Sequence, residues 1–125
     1  MGLLSALLGN AARADVEDVE RDLERLLADD EKVERAFKLI RDLLIFTNRR
    51  FIIVDRQGVT GRKTMFHSIP YRAITNFSVE TAGHFDLESE LKIWIAGNPT
   101  PIQQTFTRGG AILEVQKALA SYVGR

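Results

Sequence analysis

Cysteine is absent from the chain. That removes disulfides, thiolate nucleophiles and cysteine metal sites together, and it is compatible with a reducing compartment. Net charge is absent as well. The 17 Lys and Arg are matched by 17 Asp and Glu, so no global field draws the chain to nucleic acid or to an anionic membrane. No apolar run approaches the ~20 residues needed to cross a bilayer. The opening stretch from Met1 to Gly9 is apolar but short and lacks the basic start of a secretory signal. Ala6 stands where a myristoylation pattern wants Ser or Thr. A cytoplasmic protein is expected. Phosphate-cradling glycine loops and dinucleotide fingerprints are also missing. With 125 residues, the chain has the length of one domain whose core needs no staple.

The residues that are present begin with a helical pattern. Leu3, Leu4, Leu7 and Leu8 recur at helical spacing, and Gly9 and Asn10 weaken it. Asp15 suits an N-cap, with Glu17 and Asp18 in a first turn that favours acids. Val16, Val19, Leu23, Leu26 and Leu27 then form one apolar stripe, and Asp29 and Asp30 end it. The pattern predicts an N-terminal helical segment over 1–29, followed by a mainly β domain over 30–125.

From residue 30 the chain turns to short runs rich in β-branched and aromatic residues. Strands are expected over 33–40, 43–47, 51–55, 62–69, 74–81, 90–96 and 102–106, with turn residues between them. Seven strands at this spacing suit a sandwich or barrel. After Gly109 and Gly110, Ile112, Val115, Leu119 and Tyr122 share one helical face. One C-terminal helix is therefore expected to cap the sheet structure.

This order of strands and helix resembles the pleckstrin-homology (PH) fold. The stretches 46–63, 67–71, 77–83, 85–92 and 114–119 are similar to the bacterial PH-domain family, and the likeness covers about residues 30–123. The resemblance implies a seven-stranded PH-like barrel or sandwich, a tendency toward ring-shaped homo-oligomers, and no catalytic activity. It specifies a fold more closely than a function.

Candidate sites follow from particular residues. Phosphoinositide-binding PH domains use a long basic loop between their first two strands. Here that connection is about Arg41 and Asp42, and the acid offsets the base, so a phosphoinositide ligand is not expected. Arg49, Arg50, Arg62 and Lys63, with Arg56, flank successive turns. They are the best anion-binding candidates, since arginine presents a fork suited to phosphate or carboxylate. Solvated turn residues that protect strand edges are the plainer reading. His84, Asp86, Glu88 and Glu90 alternate, a pattern that can hold a divalent cation but is common in polar loops, so no metal site is assigned. His67 and Ser68 are adjacent in a strand and point to opposite faces, which argues against a catalytic pair. No catalytic residue and no cofactor is assigned.

The apolar pattern carries most of the functional expectation. The runs 43–46 and 51–54 are apolar on both faces of their strands, and a small barrel hides only its inner face. Leu44, Phe46, Phe51 and Ile53 are therefore candidates for an oligomer interface. Trp94, out of phase with Leu91, Ile93 and Ile95, joins them as an outward residue awaiting cover. The expected function is a non-catalytic, homo-oligomeric scaffold, ring-shaped rather than dimeric, that binds a protein or peptide. The alternative is a peripheral membrane module using the N-terminal leucines and the basic turns.

Overall fold

The computed structural model describes residues 15–39, 42–57, 63–81, 88–107 and 111–124. They belong to two units, Met1–Ile69 and Pro70–Arg125.

In the first unit, Asp15 caps helix α1, Val16–Asp22. Its Oδ1 accepts the N–H groups of Glu17 at 2.9 Å and Asp18 at 3.2 Å, donors that the first helical turn otherwise leaves unpaired. Regular helix ends at Asp22, earlier than the leucine stripe predicts. The chain continues in tight turns, with Leu26 N–H bonded to the Leu23 carbonyl at 2.8 Å. The Leu26 carbonyl is taken by the Arg50 guanidinium, also at 2.8 Å. Leu23 and Leu27 still reach the core from these turns, whereas Leu26, in the same stripe, is left exposed.

Strands β1 (Val33–Lys38), β2 (Leu43–Thr47), β3 (Arg50–Gln57) and β4 (Lys63–Pro70) form one sheet in that order. The β1–β2 and β2–β3 pairs are antiparallel, and the register shifts between Val33 and Arg35 as at a bulge. The β2–β3 turn is closed by Thr47, whose Oγ1 accepts the N–H groups of Arg49 at 3.0 Å and Arg50 at 2.9 Å. Leu43, Ile45, Ile52 and Val54 share one face and pack with Val19, Leu23, Val33 and Ala36. Glu20 ties α1 to this sheet by accepting the Val33 N–H at 2.7 Å. The opposite face carries Phe37, Leu44, Phe46, Phe51 and Ile53, all buried. Phe37 meets Phe46 edge-on at 6.1 Å, and Phe46 lies 4.8 Å from Phe51.

In the second unit a 3₁₀ turn, Tyr71–Ala73, leads into β5 (Ile74–Glu80), β6 (Glu88–Ile95) and β7 (Ile102–Thr107). They form an antiparallel sheet in sequence order. Gly97, with φ +83°, takes the left-handed conformation in the β6–β7 turn. Helix α2, Ile112–Val123, buries the predicted stripe of Ile112, Val115, Leu119 and Tyr122, together with Ala118. It packs on β5, β6 and the 3₁₀ turn, and Tyr122 stacks on Tyr71 with ring centroids 4.8 Å apart. The described strands thus make two hydrogen-bonded sheets of four and three, not one closed barrel.

Candidate functional site

The β2–β3 turn places the two adjacent arginines that the sequence offers as anion ligands, and each meets a carboxylate of its own chain. Arg49 forks onto Asp30, Nε to Oδ1 at 2.9 Å and Nη2 to Oδ2 at 2.7 Å, with both side chains exposed. The hydrogen bonds from Arg49 hold the Asp30 carboxyl below its ordinary value, and Asp30 in turn raises Arg49. Arg50 forks onto Glu31, Nε to Oε2 at 2.8 Å and Nη2 to Oε1 at 2.9 Å. Its remaining donors reach the Leu26 carbonyl and Ser68 Oγ, both at 2.8 Å. A fork occupied in this way is a structural clasp rather than an open receptor. Lys63 opens β4 and is exposed, and Arg62 lies outside the described residues.

Glu31 is the residue that sequence reasoning missed. Its side chain is only 1% exposed. Burial would raise its carboxyl. Hydrogen bonds from Arg50, from Thr47 Oγ1 at 2.6 Å and from the Ala28 N–H at 2.9 Å, with the Arg50 charge, outweigh that and bring it down to about 2. No local signal marks Glu31, because Thr47 and Arg50 stand 16 and 19 positions away. Asn48 reinforces the same junction, accepting the Lys32 N–H at 2.7 Å and donating to the Asp30 carbonyl at 3.1 Å.

Four of the interface candidates require correction. Leu44, Phe46 and Phe51 are fully buried and Ile53 is 3% exposed in a single copy of the chain. They belong to its core and present no surface to a partner. The premise that one face of β2 and β3 lacks cover fails because α1 and its following turns lie over the Leu43 and Val54 face. Trp94 stands in register with Asn76, on the face of β6 away from the buried Leu91 and Ile93, and is half-buried.

The remaining candidates do not assemble into chemistry. Ser68 is an acceptor for Arg50 on the α1 side of β4, and alternation sends His67 to the other side. Glu88 and Glu90 lie in β6, where Glu90 accepts from Gln103 Nε2 at 2.6 Å. His84 and Asp86 lie outside the described residues, as do Gly109 and Gly110. Among the described residues no helix is long and apolar enough to cross a membrane.

One concave surface stands out instead. A groove of about 170 Å³ runs between α1 and β4, lined by Val19, Asp22, Leu23, Leu43, Val54, Thr64 and Phe66. Leu43 and Val54, register partners on β2 and β3, form its floor. Phe66 is 43% exposed at its side, an unusual position for a phenylalanine on a strand face otherwise occupied by Thr64 and Ser68. That isolated aromatic between two polar residues is the signal by which the sequence could have disclosed the groove. Such a surface suits burial of an apolar side chain. Its lining offers one carboxylate and one hydroxyl, and no nucleophile–base pair.

The model of the bacterial PH domain family matches residues 2–123. The uncharacterized protein YjqA of Bacillus subtilis (strain 168) is 52% identical over 122 residues, 97% of this chain and 98% of that one. The uncharacterized protein YozO of the same organism is 29% identical over 103 residues, 82% of this chain and 88% of that one. Among solved structures, a pleckstrin homology domain from Shewanella amazonensis SB2B is 46% identical, covers 98% of each chain and gives a TM-score of 0.83. A DUF1696 family protein with a pleckstrin-homology domain from Shewanella loihica PV-4 is 41% identical, covers 90% of this chain and 96% of its own, and gives a TM-score of 0.79.

Proposed function

Because the chain belongs to the bacterial PH domain family, we propose that it is a cytoplasmic, non-catalytic, homo-oligomeric scaffold that recognises a protein or peptide through the α1–β4 groove. The observation that carries this reading is the groove itself, a mainly apolar concavity beside the sheet with Phe66 left exposed at its side. Leu26, Met65 and Leu113 add further exposed apolar side chains that an assembly would cover. A ring is the favoured assembly, since a head-to-tail contact between copies that closes on itself makes one. The membrane alternative loses support from the pairing of Arg49 and Arg50 with Asp30 and Glu31, which neutralises two of the four cations it relies on.

Light scattering coupled to size exclusion at micromolar protein tests the reading. A mass that is a multiple of 14.1 kDa is expected, falling on Phe66→Asp while the β circular dichroism is kept. A monomeric wild type would overturn the homo-oligomer, and a mass indifferent to Phe66→Asp would remove the groove from the assembly.

A further inference from the structure

We propose that the α1–β4 groove takes a single arginine side chain presented by a partner peptide. The inference rests on the reading of the groove as a binding surface and names the chemistry of its ligand. The floor is apolar, with Leu43 and Val54 buried in it. The two walls differ. Asp22 stands on the α1 wall and is exposed. Among the described residues no ion pair or hydrogen bond engages its carboxylate. The neighbouring Arg21 is held by Asp18 at 3.0 Å, and Arg49 and Arg50 are held by Asp30 and Glu31. Asp22 also closes α1, and a helix carries partial negative charge at that end. On the β4 wall Phe66 is 43% exposed, and Thr64, two positions earlier, adds a hydroxyl.

Charge complementarity selects the ligand. An arginine stem can lie along an apolar floor while its charged head stays near water. The guanidinium plane stacks on an aromatic ring such as Phe66, and its fork matches a carboxylate such as Asp22. A leucine or phenylalanine would fill the floor but strip water from the Asp22 carboxylate without replacing it, which costs free energy. An acidic side chain meets like charge. Lysine supplies the charge without the planar fork. The volume of about 170 Å³ is close to that of cavities of about 150 Å³ that accept a benzene-sized group. One side chain therefore fits, and the rest of the peptide stays outside.

Methyl NMR on the full chain, with leucine and valine methyl groups labelled, reads the groove through Val19, Leu23, Leu43 and Val54. Val115 and Leu119, buried on α2, serve as controls. The probes are the capped peptide Gly-Ser-Arg-Ser-Gly and the same peptide with lysine, leucine or glutamate at its centre, titrated to millimolar concentration. The arginine peptide is expected to shift the groove signals saturably, several-fold more tightly than the lysine or leucine peptide, with no response to glutamate. Asp22→Asn, at an exposed site, should weaken arginine binding several-fold and leave leucine binding unchanged. Phe66→Leu should weaken arginine binding as well. Unshifted control signals confirm that each variant is folded. Equal affinity for the arginine and leucine peptides would overturn the proposal, as would arginine binding indifferent to Asp22→Asn. Equal affinity for lysine would overturn the assignment of arginine. The proposal and the reading beneath it fail separately. Groove shifts with the leucine peptide alone sink the arginine and keep the groove as a binding surface. No groove shift with any peptide, with the assembly still lost on Phe66→Asp, sinks the proposal alone. Arginine binding with an assembly indifferent to Phe66→Asp supports the proposal and removes the groove from the assembly.

Discussion

Glu31 holds its negative charge in a place that water scarcely reaches, and Arg50 is the reason it can. Removing one member of a buried pair leaves the other desolvated and unmatched. Glu31→Ala is therefore expected to cost on the order of 3 kcal/mol, read as a lower urea midpoint with an unchanged slope. Arg49→Ala breaks an exposed pair that solvent screens, and its midpoint should stay near the wild-type value. The pH dependence follows from the lowered Glu31 carboxyl. Folded, it titrates near 2 against an ordinary 4.5, so its contribution is fully present above pH 4.5 and is lost as pH falls toward 2. Urea midpoints measured down that range should fall steeply for the wild type and less steeply for Glu31→Gln. Equal slopes would mean that another carboxylate governs acid unfolding.

Short elements here depend on their ends and on burial of their faces. Helix α1 has 7 residues, too few to be stable alone in water, so capping and docking sustain it. Asp15→Ala removes the acceptor for two N–H groups and is expected to destabilise by about 1 kcal/mol, with faster amide exchange at Glu17 and Asp18 as the local mark. Residues 43–46 of β2 and 51–54 of β3 are buried on both faces, and this predicts a sharp contrast between two phenylalanines. Phe51→Ala, in the core, should cost about 3–5 kcal/mol. Phe66→Ala, on the exposed side of the groove, should leave the unfolding midpoint almost unchanged. Comparable losses at both positions would mean that Phe66 is packed in solution.

For the molecule as a whole, charge balance and ion pairing act together. The formal net charge is +0, and two of the basic turn residues already face carboxylates. Exposed charges that remain are screened beyond about 8 Å at physiological salt. Co-sedimentation with phosphatidylserine vesicles should therefore not exceed that with neutral vesicles at this ionic strength. Retention that is strong, falls with added salt and disappears on Arg49→Glu would restore the membrane reading. Assembly, in contrast, depends on apolar surface and should persist at high salt, where the same light-scattering measurement checks it.

The sequence by itself determined the elements and the family. Alternation between Leu91 and Ile95, the turn at Gly97 and the stripe from Ile112 to Tyr122 each have a short period, and a short period survives without tertiary context. The Asp15 cap was legible for the same reason, because its partners lie within three residues. Tertiary structure alone decided which apolar surface stays open. Unbroken apolar runs at 43–46 and 51–54 announce two greasy faces, but α1 covers one of them from more than twenty residues upstream, and nothing local encodes that arrival. The same distance hid the clasp of Glu31 with Thr47 and Arg50, which converts two expected anion ligands into a structural junction and a turn-end ion pair. The groove beside Phe66 exists only where α1 and β4 border the same sheet face, so its place was fixed by packing rather than by pattern.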